Sequence, residues 1–138
     1  MKILRALPIV LLAALAGCNH LDSPTEPGDS TRRPLNQSVT LAPGQEVSIG
    51  GGFYLRCDRV YNDSRCPRNV TCVWEGEVSV DIVVRTENVS FRFTLTTHSR
   101  RVSVLGFGLE LKDVTPEPEA GTPIPDGAYR ATIEVGSV

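Results

Sequence analysis

Catalytic side chains are scarce in this chain. Its 138 residues hold two histidines, His20 and His98, and two lysines, Lys2 and Lys112. His20 lies in a polar, Pro-rich stretch that cannot hold it in a site, and His98 sits in Thr96-Thr97-His98-Ser99-Arg100-Arg101, which reads as an exposed turn. Ser99 beside His98 is only a chain neighbour, and neighbours on a strand point to opposite faces, so a Ser-His-Asp arrangement is not expected. No glycine-rich loop carries a lysine, and Gly50-Gly51-Gly52 precedes a strand pattern, so no helix N-terminus is offered to a phosphate. Aromatics make up 6%, too few for a large aromatic-lined pocket, and 14 basic against 16 acidic groups give no basic surplus for nucleic acid. No cofactor is expected, and the chain is not expected to be an enzyme.

The apolar stretch Ile9–Ala16 follows Lys2 and Arg5. It is shorter than the about 20 residues that a membrane-spanning helix needs. A short basic segment before an apolar one is the pattern of a secretory signal. It ends in Leu15-Ala16-Gly17-Cys18, which resembles the bacterial lipobox. The resemblance implies removal of residues 1–17 and lipidation of Cys18 by a thioether-linked diacylglycerol, with palmitate-type acyl chains as the membrane partner. Two or three chains anchor firmly where one is marginal. Asn19 in place of Asp favours an outer over an inner membrane. Without Lys2 and Arg5 the balance is 12 basic against 16 acidic groups, so the lipid and not surface charge must hold the protein to a membrane.

Residues 18–37 read as the lipidated Cys and a tether. Asp22-Ser23-Pro24-Thr25-Glu26-Pro27-Gly28 and Arg32-Arg33-Pro34 bury too little apolar surface to offset ordering. About 18 flexible residues span roughly 20–25 Å.

From residue 38 to 138 the apolar period is two. Val39 and Leu41, then Val47 and Ile49, then Phe53, Leu55 and Cys57 each share a face. Val78, Val80, Ile82 and Val84 alternate with Glu77, Ser79, Asp81 and Val83, which are expected to face water. Phe91, Phe93 and Leu95 return after Glu87-Asn88, making the clearest hairpin. Val102 and Val104, then Leu109 and Leu111, precede a Pro-rich connection over 115–127, and Tyr129, Ala131, Ile133 and Val135 end the pattern. One dry face per strand requires two packed sheets or one closed sheet. The expectation is an all-β single domain: an antiparallel β-sandwich or small barrel of about eight short strands, and a monomer.

Three cysteines remain beyond Cys18. Export places them in an oxidising compartment, where a disulfide is the default. Cys66 and Cys72 flank Pro67-Arg68-Asn69-Val70-Thr71, a segment with turn chemistry, and are expected to pair. Cys57 lies on a dry face and behaves as a small hydrophobe. Pairing of Cys57 with Cys72 is the alternative. A metal site built from these thiols with Asp58 or Asp63 would lack a nearby histidine and compete with the disulfide.

Asp63-Ser64-Arg65-Cys66-Pro67, then Cys72, Trp74 and Gly76, resembles a recurrent segment of small exported bacterial proteins, in which such a loop precedes a Val-rich strand. The likeness extends loosely over about 95 residues and implies no settled activity. Cys57 is an addition to that pattern, and Glu75 stands where a small residue is usual. Within the loop, Asp63 suits an Asx turn and Arg65 can fork onto Asp63 or strand-end carbonyls. Trp74 can cover the disulfide and plug the end of the sandwich. Alternatively Asp63, Arg65, Arg68 and Trp74 form a rigid recognition surface that loses little entropy on binding.

These features lead to a lipid-anchored cell-envelope protein, a non-catalytic binding or structural module with a protein partner of unknown identity. Two alternatives follow. One is a protease inhibitor presenting the Cys66–Cys72 loop with Arg65 or Arg68 as the mimic of the cleaved residue. The other is a thiol or metal-binding envelope protein.

Overall fold

The computed structural model describes residues 36–138. The expected signal peptide, Cys18, and the tether through residue 35 lie outside the described residues. Eight strands follow in order: β1 (Gln37–Leu41), β2 (Glu46–Gly50), β3 (Phe53–Tyr61), β4 (Ser79–Arg85), β5 (Ser90–Thr96), β6 (Arg101–Val104), β7 (Phe107–Thr115) and β8 (Arg130–Ser137). A single 3-10 turn at Asp126–Ala128 leads into β8. The strands form two antiparallel four-stranded sheets, ordered β1-β8-β7-β6 and β2-β3-β4-β5. The two sheets pack face to face as a β-sandwich and do not close into a barrel.

The alternation seen in the sequence sets the core. Leu41, Ile49, Leu55, Ile82, Leu109, Leu111 and Ile133 are buried between the sheets, with Phe107 edge-on to Phe53 at 4.7 Å between ring centroids. The β4–β5 hairpin forms in the expected register, Val80 opposite Leu95, Ile82 opposite Phe93 and Val84 opposite Phe91. Gly50, Gly51 and Gly52, all at positive φ, turn the chain between β2 and β3.

Strict alternation breaks at two bulges. In β3 the register shifts between Cys57 and Arg59, and in β7 between Leu111 and Asp113. Each extra residue moves the apolar parity by one, so that Val60 and Val114 face inward instead of Arg59 and Asp113.

The outward face of β4 corrects the sequence expectation. Ser79, Asp81 and Val83 point away from the core as expected, yet all are buried, Asp81 to 3% exposure. Long arginine side chains cover Asp81 and Val83, and Ser79 lies between Tyr61 and Thr96. Val83 lies between Arg56 and Arg92, its cross-strand partners, which both reach Asp58 at 2.6 Å. Asp81 accepts hydrogen bonds from Arg59 Nε at 2.7 Å, Thr94 Oγ1 at 2.7 Å and Tyr61 Oη at 3.2 Å. Arg85 forks onto Glu46 and stacks on Tyr54, and Arg59 stacks on Tyr61.

Candidate recognition loop

The segment between β3 and β4 carries the conspicuous cluster of cysteines, arginines and Trp74. It leaves the sandwich at the end where β3 finishes and β4 begins, with Tyr61 opposite Ser79. At this end β7 finishes and β8 starts, Thr115 opposite Arg130, and β1 finishes at Leu41 opposite Ala131. The start of β1, Gln37, pairs with Val135 at the other end. The loop and the point where the chain enters the sandwich therefore occupy opposite poles.

Two short arms hold the base of the loop. Ser64 N–H donates to the carbonyl of Glu77 at 2.8 Å, and Cys66 N–H to that of Glu75 at 2.9 Å. Glu77 N–H donates to Ser64 Oγ at 3.0 Å. Gly76 makes the approach possible. Its φ is +66°, and a Cβ there would sit 1.8 Å from the Ser64 carbonyl oxygen.

Asp63 and Arg65 bolt the arms to the sandwich. Arg65 forks onto Asp63 through Nε–Oδ1 at 2.8 Å and Nη2–Oδ2 at 2.7 Å, while its own N–H donates back to Oδ1 at 3.2 Å. The same guanidinium donates to the carbonyls of Val114 and Pro116 at the end of β7. Tyr129 Oη, just before β8, donates to Asp63 Oδ2 at 3.1 Å. Burial opposes ionisation of Asp63, but the Arg65 hydrogen bonds and charge, with the Tyr129 hydroxyl, prevail and hold its carboxyl below the usual carboxylate range. The Arg65 side chain is only 14% exposed. Both forks foreseen for Arg65, onto Asp63 and onto strand-end carbonyls, form together.

Cys66 and Cys72 form the disulfide, with their Cα atoms 5.9 Å apart. Cys57 is a free, buried thiol, so the alternative pairing with Cys72 is not formed. Burial first, then the neighbouring charges of Asp58 and Asp81, push the Cys57 thiol up to about 11. The disulfide-closed turn rests on the Pro-rich connection. Arg68 N–H donates to the carbonyl of Pro118 at 3.0 Å, and its guanidinium pairs with Glu119 at 2.8 Å. Asn69 Oδ1 accepts from Ala120 N–H at 2.8 Å.

Trp74 does not cover the disulfide or plug the sandwich. It is 83% exposed, and Val73 beside it is 90% exposed, with Val70 half exposed on the same loop. The lower loop faces the β5–β6 turn across an open cleft of about 460 Å³, lined by Arg65, Arg68, Glu75, His98, Arg100 and Glu117 among others. His98 Nδ1 lies 3.3 Å from Glu77 Oε2 at its rim. Charges of both signs line the cleft. Among the described residues no group of three or more His, Cys, Asp or Glu is placed to hold a metal.

The four residues singled out from the sequence thus divide. Asp63 and Arg65 are internal and fasten the loop, Arg68 is exposed but engaged with Glu119, and Trp74 is presented outward. Val73 was missed as a surface residue. Its position between Cys72 and Trp74 in a segment without alternation was the available signal. Comparison with protein-family models, with curated proteins and with solved structures returns no match for this chain.

Proposed function

We propose that the protein is a lipid-anchored module of the bacterial cell envelope, outer rather than inner membrane, that binds a protein partner through the Val73–Trp74 tip and performs no catalysis. The observation that carries this is the tip itself. Two large apolar side chains stand almost wholly in water on a loop fastened by a disulfide, by Gly76 and by Arg65. Exposing them costs free energy that a partner's apolar socket would recover, and the fastened loop has little entropy left to lose. Charged residues of both signs, Arg68, Glu75, Arg100 and Glu117 among them, line the cleft beneath the loop, so the partner is matched through the apolar tip and not through charge of one sign. The tip also lies at the pole away from Gln37, facing outward from a membrane that holds the N-terminal side.

The inhibitor alternative has less support. A substrate mimic needs an extended loop with a free basic side chain, whereas Arg65 is turned inward and Arg68 sits in a turn closed by Val70 N–H onto the carbonyl of Pro67 at 3.2 Å. Thiol chemistry has Cys57 alone as a free cysteine among the described residues, buried in the core.

Two experiments test the proposal. A photo-crosslinking residue at Val73 in cells should trap one defined partner, while the same residue at Ser48, exposed on the β2 edge, should not. Equal or absent trapping at both positions defeats the binding tip. Separately, Cys18→Ser should move the protein from the membrane pellet to the soluble fraction, and retention in the pellet defeats the lipid anchor.

A further inference from the structure

Each sheet of the sandwich has two edge strands, and three of the four are blunted. β1 and β2 have five residues each and β6 has four, and β2 carries a register break between Ser48 and Gly50. Short or bulged edges resist further pairing. β5 differs. It runs seven residues, Ser90–Thr96, pairs with β4 without a register break, and contains no proline.

Which backbone groups β5 leaves open follows from its hairpin. Thr86 N–H donates to the Val89 carbonyl at 2.8 Å, and Thr97 N–H to that of Val78 at 3.3 Å. In the register of this pair, those two contacts fix Phe91, Phe93 and Leu95 as the residues bonded to β4. Ser90, Arg92 and Thr94 therefore direct their N–H and carbonyl groups outward, away from the sheet. Phe91, 37% exposed, and half-exposed Val89 lie along the same edge.

We infer that β5 pairs antiparallel with β5 of a second copy of this chain, with Phe93 opposite its symmetry mate, because this edge is self-complementary in that register. Arg92 then faces the second copy's Thr94, where outward groups meet outward groups; Ser90 faces its Thr96, whose N–H is already given to the Ser99 carbonyl of its own chain at 3.0 Å, so only the Ser90 donor is offered there. The apolar side continues across the junction, Phe91 beside the second copy's Leu95 and Phe93 beside its own counterpart. No like charges stand directly opposite each other, and the two Arg92 side chains, diagonal neighbours across the axis, are each held by their own Asp58. Sliding by two residues to centre on Arg92 would set two guanidinium groups opposite each other, and a one-residue slip would set outward groups against bonded ones. The contact is isologous and closes at two copies. A single edge of this length buries less than the about 1,200 Å² of a standard interface, so the association is weak and concentration-dependent. It departs from the monomer expected from the sequence and is independent of the tip, since the Val73–Trp74 loops then lie at opposite ends of one eight-stranded sheet.

The test uses the full chain in detergent over a concentration series. Sedimentation should pass from one copy to two and no further, while hydrogen exchange at the Arg92 and Thr94 amides slows by about tenfold or more and the β1, β2 and β6 edges stay unchanged. Phe93→Cys should yield a disulfide-linked dimer joined at residue 93. Ser90→Pro and Arg92→Pro remove only outward donors from the backbone and should each abolish association, with Cys57 still unreactive as the sign of an intact core. Arg92 and Thr94 amides that exchange rapidly at every concentration overturn the inference. So do open-ended oligomers, and so does a dimer that survives both proline substitutions. If the proline variants fail to fold, the exchange pattern and the Phe93→Cys crosslink still decide.

Discussion

At the scale of single residues, Gly76, Asp63 and Cys57 each meet a constraint that a substitution exposes. Gly76→Ala forces a methyl group onto the Ser64 carbonyl from a backbone angle that favours glycine, and should cost at least about 2 kcal/mol in urea unfolding. Asp63→Asn strips the charge partner from a nearly buried Arg65 and should cost about 3 kcal/mol. Asp63 and Asp81 also govern the acid side of the stability curve. Burial opposes ionisation of Asp81, but Thr94, Arg59 and Tyr61 together lower its pKa, as Arg65 does for Asp63. Both are depressed in the folded state, so the unfolded chain takes up protons first as pH falls below about 3.9. Their stabilisation is complete above that value and is lost as pH drops through the lower folded values. Asp63→Asn and Asp81→Asn should each flatten this acid limb, and an unchanged limb would show that the pairs do not form. Cys57 is buried and held as a thiol, so native alkylation should label none of Cys57, Cys66 and Cys72, and unfolding without reductant should release Cys57 alone.

Among the elements, the β6–β7 hairpin carries a visible misfit. Its turn places Leu105 at φ +52° and Gly106 at +84°, the angles of a type I′ turn, where asparagine suits the first position and leucine does not. Leu105→Asn should raise stability by about 0.5–1 kcal/mol, read as a higher Tm, and a decrease would mean that the exposed Leu105 is held by a contact. The hairpins and the two-sheet arrangement were legible because Val78–Leu95 and Tyr129–Val135 alternate cleanly. The bulges at Asp58 and Lys112 were not, because a single inserted residue leaves no compositional trace and only the neighbouring strand reveals it. The burial of Asp81 was hidden for a related reason. Its cover comes from Arg59, Tyr61 and Thr94, residues that alternation marks only as outward-facing. In the loop, the D-S-R-C-P string announced the Asp63–Arg65 fork, but a lone tryptophan fits a plug and a contact equally well. Only the absence of neighbours around Trp74 separates the two.

For the whole molecule, the positions of the poles matter most. β1 begins at one end, and the Val73–Trp74 tip projects from the other, joined to the ends of β7 and β8 through Arg65, Asp63 and Tyr129. A pull applied between Gln37 and Trp74 would run nearly parallel to the strands. Arg65 would carry the upper share of that load into β7, and the five paired residues between β1 and β8 would carry the lower share. Those hydrogen bonds lie across the line of force, so they would have to shear together and could not unzip in succession. The sandwich would therefore resist a pull along its length far better than one applied sideways, across the strands.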